Sequence, residues 1–275
     1  MLPAPVTFHS SALNRRLTFY IFLPPGYDQS DKRYPVIYLL HGRYDSEISW
    51  PYRGHAYSTA ERMMRSGDLT ESILVMPSDG GYSTGTYYLD WHDGSGRFGQ
   101  YFVDDLIPYI DSQYRTLPRR EARVIGGLSM GGFGSLLLAL RNPHLFGAAG
   151  SMSGALGMFP ESANLHLAPD WKPEELVRIV GPLDDDYARH HNLAFLASKV
   201  LREGPHPEIY FDCGTEDFLY KSNLWFKEQL ESLNYPFTYQ EFNGSHTWEY
   251  WSEHLEDVLK FMNSYLSRTS SLHLE

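Results

Sequence analysis

The chain contains little of what marks secreted or membrane proteins. Among its 275 residues there is a single cysteine, Cys213, so no disulfide can form within the chain. One cysteine suits a reducing compartment. No run of 18 apolar residues occurs, and residues 1–5 lack the basic and apolar regions of a signal peptide. We therefore expect a cytoplasmic protein with no membrane partner, unless a signal peptide has been removed.

Positive charge is also scarce. Lysine and arginine total 23 against 34 aspartates and glutamates, which gives a net charge of -11, and no cluster of five basic residues appears. This balance disfavours nucleic acid as a partner. The sequence shows no His/Cys spacing typical of zinc, and the acidic run at 184–186 lacks the spaced ligands of a calcium loop. We expect no metal and no cofactor.

The order of the predicted elements indicates an α/β fold. From about residue 35 onward, short apolar runs typical of buried strands alternate with amphipathic stretches typical of helices. This order predicts a mostly parallel central sheet with helices on both faces, and residues 5–23 predict an antiparallel N-terminal edge. The length fits one domain over 1–275, and the proline-rich stretch at about 155–207 is interpreted as a cap-like insertion rather than a second domain.

The boundaries of the predicted elements follow from apolar periodicity and from glycine and proline positions. The predicted strands are 17–23, 36–40, 73–76, 122–125, 147–152, 208–213 and 237–242. The predicted helices are 56–66, 98–114, 133–141, 173–180, 187–203, 221–233 and 248–266.

The most informative motif is the glycine-rich run at 126–132. It contains G-x-S-x-G around Ser129, with a predicted strand before it and a predicted helix after it. A serine in this setting lies on a strained turn that presents its hydroxyl above the sheet, which is typical of a nucleophile. The alternative is a glycine-rich turn in which the serine is incidental.

A serine nucleophile requires a base and an acid, which follow it in the chain in α/β-hydrolases. Of the 12 histidines, His246 lies in a turn between the strand 237–242 and the last helix, where the base is expected. The acid is expected in the loop after the strand 208–213. Asp217 is favoured there, Glu216 is the alternative, and Asp212 lies within the strand itself.

Two backbone N–H groups are needed to stabilise an oxyanion. The candidates are Met130, which follows the nucleophile, and Arg43, in the turn after the strand 36–40. His41 in that turn could act as a second base, but a structural hydrogen-bonding role is favoured. Four aromatic residues near this edge could line a substrate pocket or simply pack in the core: Trp50, Tyr87, Tyr88 and Trp91.

Five motifs in order resemble the esterase D-like branch of the α/β-hydrolases, the putative-esterase group. They lie at 34–42, 76–81, 126–132, 213–217 and 244–248, and the resemblance covers roughly residues 15 to 266. That group includes short-chain carboxylesterases, feruloyl and acetyl-xylan esterases, S-formylglutathione hydrolases and the antigen 85 acyltransferases. The resemblance implies a triad of Ser129, Asp217 and His246, with Met130 and Arg43 as oxyanion donors.

These observations favour a serine carboxylesterase that hydrolyses short-chain or aryl esters, including feruloyl or acetylated-sugar esters, through an acyl-enzyme. Its expected partner is a small-molecule ester, and a homo-oligomer is compatible with the sequence. The alternatives are an S-formylglutathione hydrolase, an acyltransferase, and a non-catalytic binding module with the same fold. The presence of all three triad residues argues against the binding module.

Overall fold

The computed structural model describes residues 2–81, 85–157, 173–182 and 186–271. In these ranges eight strands form one sheet in the order β1-β2-β4-β3-β5-β6-β7-β8. The strands are β1 (Ala4–Ser10), β2 (Arg15–Phe22), β3 (Val36–Leu40), β4 (Ile73–Pro77), β5 (Arg123–Leu128), β6 (Ala148–Met152), β7 (Glu208–Gly214) and β8 (Phe237–Phe242).

Pairing within the sheet confirms the predicted α/β class. The first two strands are antiparallel to each other, and β2 pairs antiparallel with β4. Every pair from β4 through β8 is parallel. The sheet is therefore mostly parallel with an antiparallel N-terminal edge, as the sequence predicted.

Helices surround the sheet and connect the parallel strands. They are α1 (Ser49–Tyr52), α2 (Ala56–Ser66), α3 (Phe98–Gln100), α4 (Ile107–Gln113), α5 (Met130–Arg141), α6 (Pro173–Val180), α7 (Asp186–Arg189), α8 (Leu193–Glu203), α9 (Tyr220–Leu233) and α10 (Trp248–Ser271). In the described ranges, no helix is both long and apolar enough to cross a bilayer.

Two segments that were each predicted as one continuous helix are interrupted in the structure, and the other predicted helices differ from the observed ones only at their ends. The segment predicted as one helix over 98–114 contains a π-helical stretch, Tyr101–Leu106, between α3 and α4. The segment predicted over 187–203 is interrupted between α7 and α8, because the Asn192 side chain accepts the N–H of Phe195 at 2.9 Å and starts a new helix. Residues 158–172 and 183–185 of the predicted insertion lie outside the described residues, so the insertion stays a prediction.

The two faces of the sheet carry separate apolar cores. Along β3, the side chains of Val36, Tyr38 and Leu40 enter one core, which includes residues of α5 and α8. The alternate side chains of the same strand, Ile37 and Leu39, enter the other, which includes residues of α2 and α10. A strand buried on both faces has a continuous apolar sequence, which is why Val36–Leu40 was recognisable.

The parallel strands end at one edge of the sheet, and this fixes where the site residues lie. The turn at 41–45 follows β3, Ser129 follows β5, the loop at 215–217 follows β7, and the loop at 243–247 follows β8. Ligand sites of open α/β sheets lie at this carboxyl edge. The fold thereby brings together segments that lie about 200 residues apart in the chain.

Candidate active site

Ser129 occupies a strained turn between β5 and α5. Its φ of 54° and ψ of -117° lie in a region that residues other than glycine rarely adopt. Hydrogen bonds on both sides hold this conformation: the Ser129 N–H donates to the Met152 carbonyl at 2.8 Å, and its carbonyl accepts the Phe133 N–H at 3.1 Å. The serine hydroxyl is thereby fixed at the carboxyl edge of the sheet.

Two glycines allow this turn to contact the neighbouring backbone. A Cβ on Gly127 would lie 2.5 Å from the Gly131 carbonyl oxygen, and a Cβ on Gly131 would lie 2.5 Å from the Leu40 carbonyl oxygen. Neither backbone atom can move aside cheaply. The motif therefore needs glycine at these two positions for steric reasons that the sequence already indicated.

A chain of hydrogen bonds joins the serine, the histidine and an aspartate. The Oγ of Ser129 lies 2.9 Å from Nε2 of His246, and Nδ1 of His246 lies 2.8 Å from Oδ2 of Asp217. Since an ionised carboxylate only accepts, the ring proton belongs on Nδ1. Nε2 is then free to accept the serine hydroxyl proton, which is the arrangement of a nucleophile with its base.

Of the three acidic candidates, Asp217 is the one that contacts His246. Its side chain is fully buried, and its second oxygen accepts the Leu219 N–H at 2.8 Å. Glu216 is exposed, and its contribution is a backbone N–H that donates to the Gly244 carbonyl at 2.9 Å. Asp212 is buried within β7 and bonds to Tyr250 instead.

Two aromatic rings pack against the imidazole of His246. The Phe218 ring centroid lies 4.5 Å from it, and the Trp251 ring lies 4.8 Å away at nearly a right angle. The histidine side chain is 18% exposed, whereas Phe218 is 46% exposed. The imidazole is therefore restrained but open to solvent on one side.

Met130 and Arg43, the predicted oxyanion donors, flank the serine. Met130 is the first residue of α5, so its N–H is one of those that a helix leaves unpaired at its N-terminus. Arg43 belongs to the neighbouring turn, where a Cβ on Gly42 would lie 3.4 Å from the Ser129 Cβ. Both side chains pack around Gly85. Their role as donors stays a prediction.

Both ring nitrogens of His41 form hydrogen bonds with backbone groups. Nδ1 lies 2.8 Å from the Gly42 carbonyl oxygen, and Nε2 accepts the N–H of Asp79 at 3.1 Å. These contacts require a neutral ring with its proton on Nδ1. The buried His41 thus connects the turn after β3 to the segment after β4, in agreement with the structural role that was favoured.

The four aromatic residues proposed for a pocket are all buried, and three of them donate to backbone carbonyls. The indole of Trp50 donates to Leu40 at 2.9 Å, Tyr88 to His41 at 3.1 Å, and Trp91 to Thr86 at 3.1 Å. Tyr87 packs near Phe133 with ring centroids 6.1 Å apart. These buried side chains support the backbone segments around the site. Their direct contact with a substrate stays a prediction.

An open groove that the sequence did not reveal lies beside His246. Its volume is about 420 Å³, and it is lined by Arg43, Tyr44, Asp45, Arg53, His246, Thr247, Trp248, Glu249 and Trp251. Arg53 bridges its walls, since it pairs with Asp45 at 3.0 Å and lies over the Trp248 ring at 5.1 Å. Tyr44 is 68% exposed. In the sequence, the only indication of these groove residues is that they lie close to the motifs at 34–42 and 244–248.

Within the described ranges, no group of three His, Cys, Asp or Glu side chains is placed to hold a metal ion.

The chain belongs to the family described as "Putative esterase", which matches residues 10–262. This agrees with the resemblance found from the sequence motifs.

Individual relatives extend the comparison. The chain is 25% identical over 274 residues to an acetyl esterase of Caldicellulosiruptor saccharolyticus, covering 94% of this chain and 97% of that protein. It is 34% identical over 165 residues to an endo-1,4-beta-xylanase/feruloyl esterase of Xylanibacter ruminicola, covering 56% of this chain and 22% of that protein. The solved structure of a ferulic acid esterase matches with a TM-score of 0.81 and 27% identity, covering 96% and 98% of the two chains.

The strained backbone of Ser129 generates a prediction about stability. Ser129→Gly and Ser129→Ala both remove the hydroxyl, but glycine adopts the observed φ and ψ without strain. We expect the glycine variant to be more stable than the alanine variant by about 1 kcal/mol, after the greater flexibility of glycine in the unfolded chain is included. Urea unfolding of the two variants measures this difference, and an alanine variant of equal or greater stability would show that the turn is not strained.

Proposed function

We propose that this member of the family is a carboxylic ester hydrolase that works through a serine acyl-enzyme. Ser129 is the nucleophile, His246 the general base, and Asp217 the acid that fixes the imidazole. The observation that carries the proposal is the unbroken hydrogen-bond chain from Ser129 through His246 to the buried Asp217. Its position at the carboxyl edge of the sheet supports the same conclusion.

The first half of the reaction follows from these contacts. Nε2 of His246 takes the hydroxyl proton as Ser129 Oγ attacks the ester carbonyl carbon, and Asp217 stabilises the imidazolium that forms. The tetrahedral intermediate collapses when the imidazolium returns this proton to the departing alcohol oxygen. In the second half, a water oxygen attacks the acyl carbon and gives a proton to His246, and the imidazolium returns that proton to Ser129 Oγ as the bond between the acid and the serine breaks.

Negative charge on the former carbonyl oxygen needs donors that are already in place. In this proposal the N–H of Met130 supplies one and the N–H of Arg43 the other. The packing of His41 against Asp79 holds the Arg43 turn, and the close contact between Gly131 and Leu40 holds the start of α5 beside it. The donors therefore require little rearrangement when the charge develops.

The substrate class is proposed from the relatives and from the groove. Relatives are named acetyl esterase and feruloyl esterase, which supports small-molecule esters of short-chain or aryl acids. The departing alcohol must lie near His246, because that residue protonates it. The groove beside His246 is therefore assigned to the alcohol part of the ester, and its mixed charges and exposed Tyr44 suit a polar alcohol with an extended surface.

The assignment of the nucleophile predicts that Ser129→Ala is folded and nearly inactive. Loss of a serine nucleophile reduces kcat by about 10⁶-fold in subtilisin. In the pre-steady state, with p-nitrophenyl acetate in excess over the enzyme, hydrolysis should show a burst of p-nitrophenol in the wild type and none in the variant. A folded variant with more than about a hundredth of the wild-type rate would contradict the proposal.

The assignment of the acid predicts different effects for two neighbouring residues. Asp217→Asn should lower kcat severely, on the order of 10⁴-fold, because the amide no longer stabilises the required tautomer and its charge. Glu216→Gln is the matched control, since Glu216 is exposed and contributes through its backbone. Steady-state kinetics of both variants decide the matter, and the reverse ranking would transfer the role to Glu216.

The assignment of the groove predicts a substrate-dependent effect of Tyr44→Ala. Removal of this exposed ring should lower kcat/KM several-fold on an acetylated disaccharide, on the order of 1 kcal/mol of lost contact, and leave methyl acetate unaffected. Tyr52→Ala is the control, because Tyr52 is 60% exposed but does not line the groove. Equal losses of kcat/KM on both esters, or no loss on either, would show that the alcohol does not occupy the groove.

A further inference from the structure

A buried acid that the proposed chemistry does not use lies beneath the catalytic loops. Asp212, in β7, is completely shielded from solvent. Its Oδ1 accepts the hydroxyl of Tyr250 at 2.8 Å, while its Oδ2 has no hydrogen-bond partner among the described residues. A carboxyl in such a place is costly to ionise, since each buried charge needs a partner.

Tyr250 connects Asp212 to the loop that contains His246. Gly244, two residues before the histidine, has a φ of +136°, and a Cβ there would lie 2.8 Å from Cδ2 of Tyr250. On its other side, the Gly244 carbonyl accepts the Glu216 N–H at 2.9 Å and faces Gly214, where a Cβ would lie 2.3 Å from the Gly244 oxygen. The tyrosine ring thus supports the point where the histidine loop and the acid loop meet.

The backbone of Asp212 extends the same connection toward the serine. Its carbonyl accepts the Ser153 N–H at 2.8 Å, and the adjacent Met152 carbonyl accepts the Ser129 N–H at 2.8 Å. The segments that carry Ser129, Asp217 and His246 are therefore all within one or two hydrogen bonds or packing contacts of Asp212.

Among the residues that the structure describes, those around Asp212 supply no positive charge that would favour its ionised form. Tyr210 and Cys213 flank it on β7, Asp217 follows in the loop, and α10 contributes Tyr250 and Asp257. His254, on the same helix, contacts the Tyr250 ring but pairs with Asp257 at 3.1 Å. Burial, with smaller contributions from the charges of Asp257 and Asp217, raises the pKa of Asp212 to about 8, although the Tyr250 and Tyr210 hydroxyls act in the opposite direction.

We propose that Asp212 is a positioning residue that acts as a neutral carboxylic acid, holding Tyr250 and through it the His246 loop against the Asp217 loop. The proposal rests on the proposed function, in which those two loops carry the base and the acid. Ionisation of Asp212 would place a second negative charge near Asp217 and draw water toward Tyr250. The support beneath Gly244 would then loosen, so that kcat would fall while KM would change little.

Asp212→Asn tests the protonation state, because asparagine resembles a neutral acid and can still accept the Tyr250 hydroxyl. We expect wild-type kcat to decline on the alkaline side with a midpoint near the pKa of Asp212, about 8, and the variant to lack this decline. At pH 7 the two enzymes should agree within about threefold. The same alkaline decline in both enzymes would overturn the proposal.

Thermal unfolding gives a readout that does not depend on activity. An unfolded aspartate releases its proton near pH ~3.9. Between there and about 8 the folded wild type therefore holds a proton that the unfolded chain has lost, so its stability falls as pH rises through this window. We expect the Tm of the wild type to fall more steeply between pH 5 and 8 than that of Asp212→Asn, and equal slopes would contradict the proposal.

Tyr250→Phe tests the positioning role, with Tyr235→Phe as the matched control. Tyr235 is also a buried tyrosine whose hydroxyl donates to a single acceptor, the Pro207 carbonyl at 2.7 Å, but it lies at the opposite edge of the sheet, where β7 begins. Both variants should lose stability. Only Tyr250→Phe should lower kcat, by about tenfold with KM unchanged. Equal kcat values for the two variants would overturn the positioning role, even if Asp212→Asn failed to fold.

These outcomes are distinguishable from failure of the proposed function. If Ser129→Ala remained active, the triad would be wrong, but the slopes of Tm against pH would still decide whether Asp212 is neutral in the folded protein. If Ser129→Ala were inactive and Tyr250→Phe matched its control, the triad would stand without the support assigned to Tyr250.

Discussion

The close backbone contact between the serine turn and the end of β3 is the constraint on which the rest of the site depends. Gly127 and Gly131 leave no room for a Cβ, because carbonyl oxygens lie 2.5 Å from where it would be. This contact sets the direction in which α5 begins and places Ser129 in its unfavourable φ and ψ. The hydrogen bond that the Ser129 N–H donates to the Met152 carbonyl and the one that its carbonyl accepts from the Phe133 N–H maintain a conformation that the local sequence would not adopt alone. A rigid serine can react efficiently only when the residues that contact it are equally fixed. The neighbouring strands fix the loops that contain Asp217 and His246.

Three parallel strands position the three residues of the proposed triad. The serine follows β5, the acid follows β7 and the histidine follows β8, so the distances between them are set by the spacing of strands that are buried or bonded along their length. Within this frame the loops are short and interlocked. The Glu216 N–H reaches the Gly244 carbonyl, and the Thr215 N–H reaches Phe242. The hydrogen bonds of 2.8 and 2.9 Å at His246 are thus consequences of sheet geometry as much as of the side chains themselves.

How far the sequence could predict this arrangement differed from one feature to another. Apolar runs such as Val36–Leu40 and glycine punctuation identified nearly every strand and helix, because those signals are local. The site residues Ser129, His246 and Asp217 were predicted because each lies in a short motif next to a strand end. The groove was not predicted, since Arg53 and Trp248 are almost 200 residues apart and meet only in the fold. Asp212 was weighed only as a possible acid, because its contact with Tyr250 joins β7 to α10 and leaves no pattern in either segment. The π-helical stretch at Tyr101–Leu106 was likewise not predicted, because the apolar periodicity of this segment is that of an ordinary helix.

The placement of His246 between Phe218 and Trp251 has a consequence for what can replace water in the second half-reaction. Because these rings restrain the imidazole, Nε2 faces one side throughout the proposed cycle, and any incoming nucleophile must approach from where the first alcohol departed. His246 lines the groove together with Arg53 and Tyr44. In the proposed mechanism, water and a second alcohol would therefore compete for the same approach to the acyl-enzyme. The balance between hydrolysis and acyl transfer would then depend on how long the first alcohol occupies the groove, and not on any change in the triad.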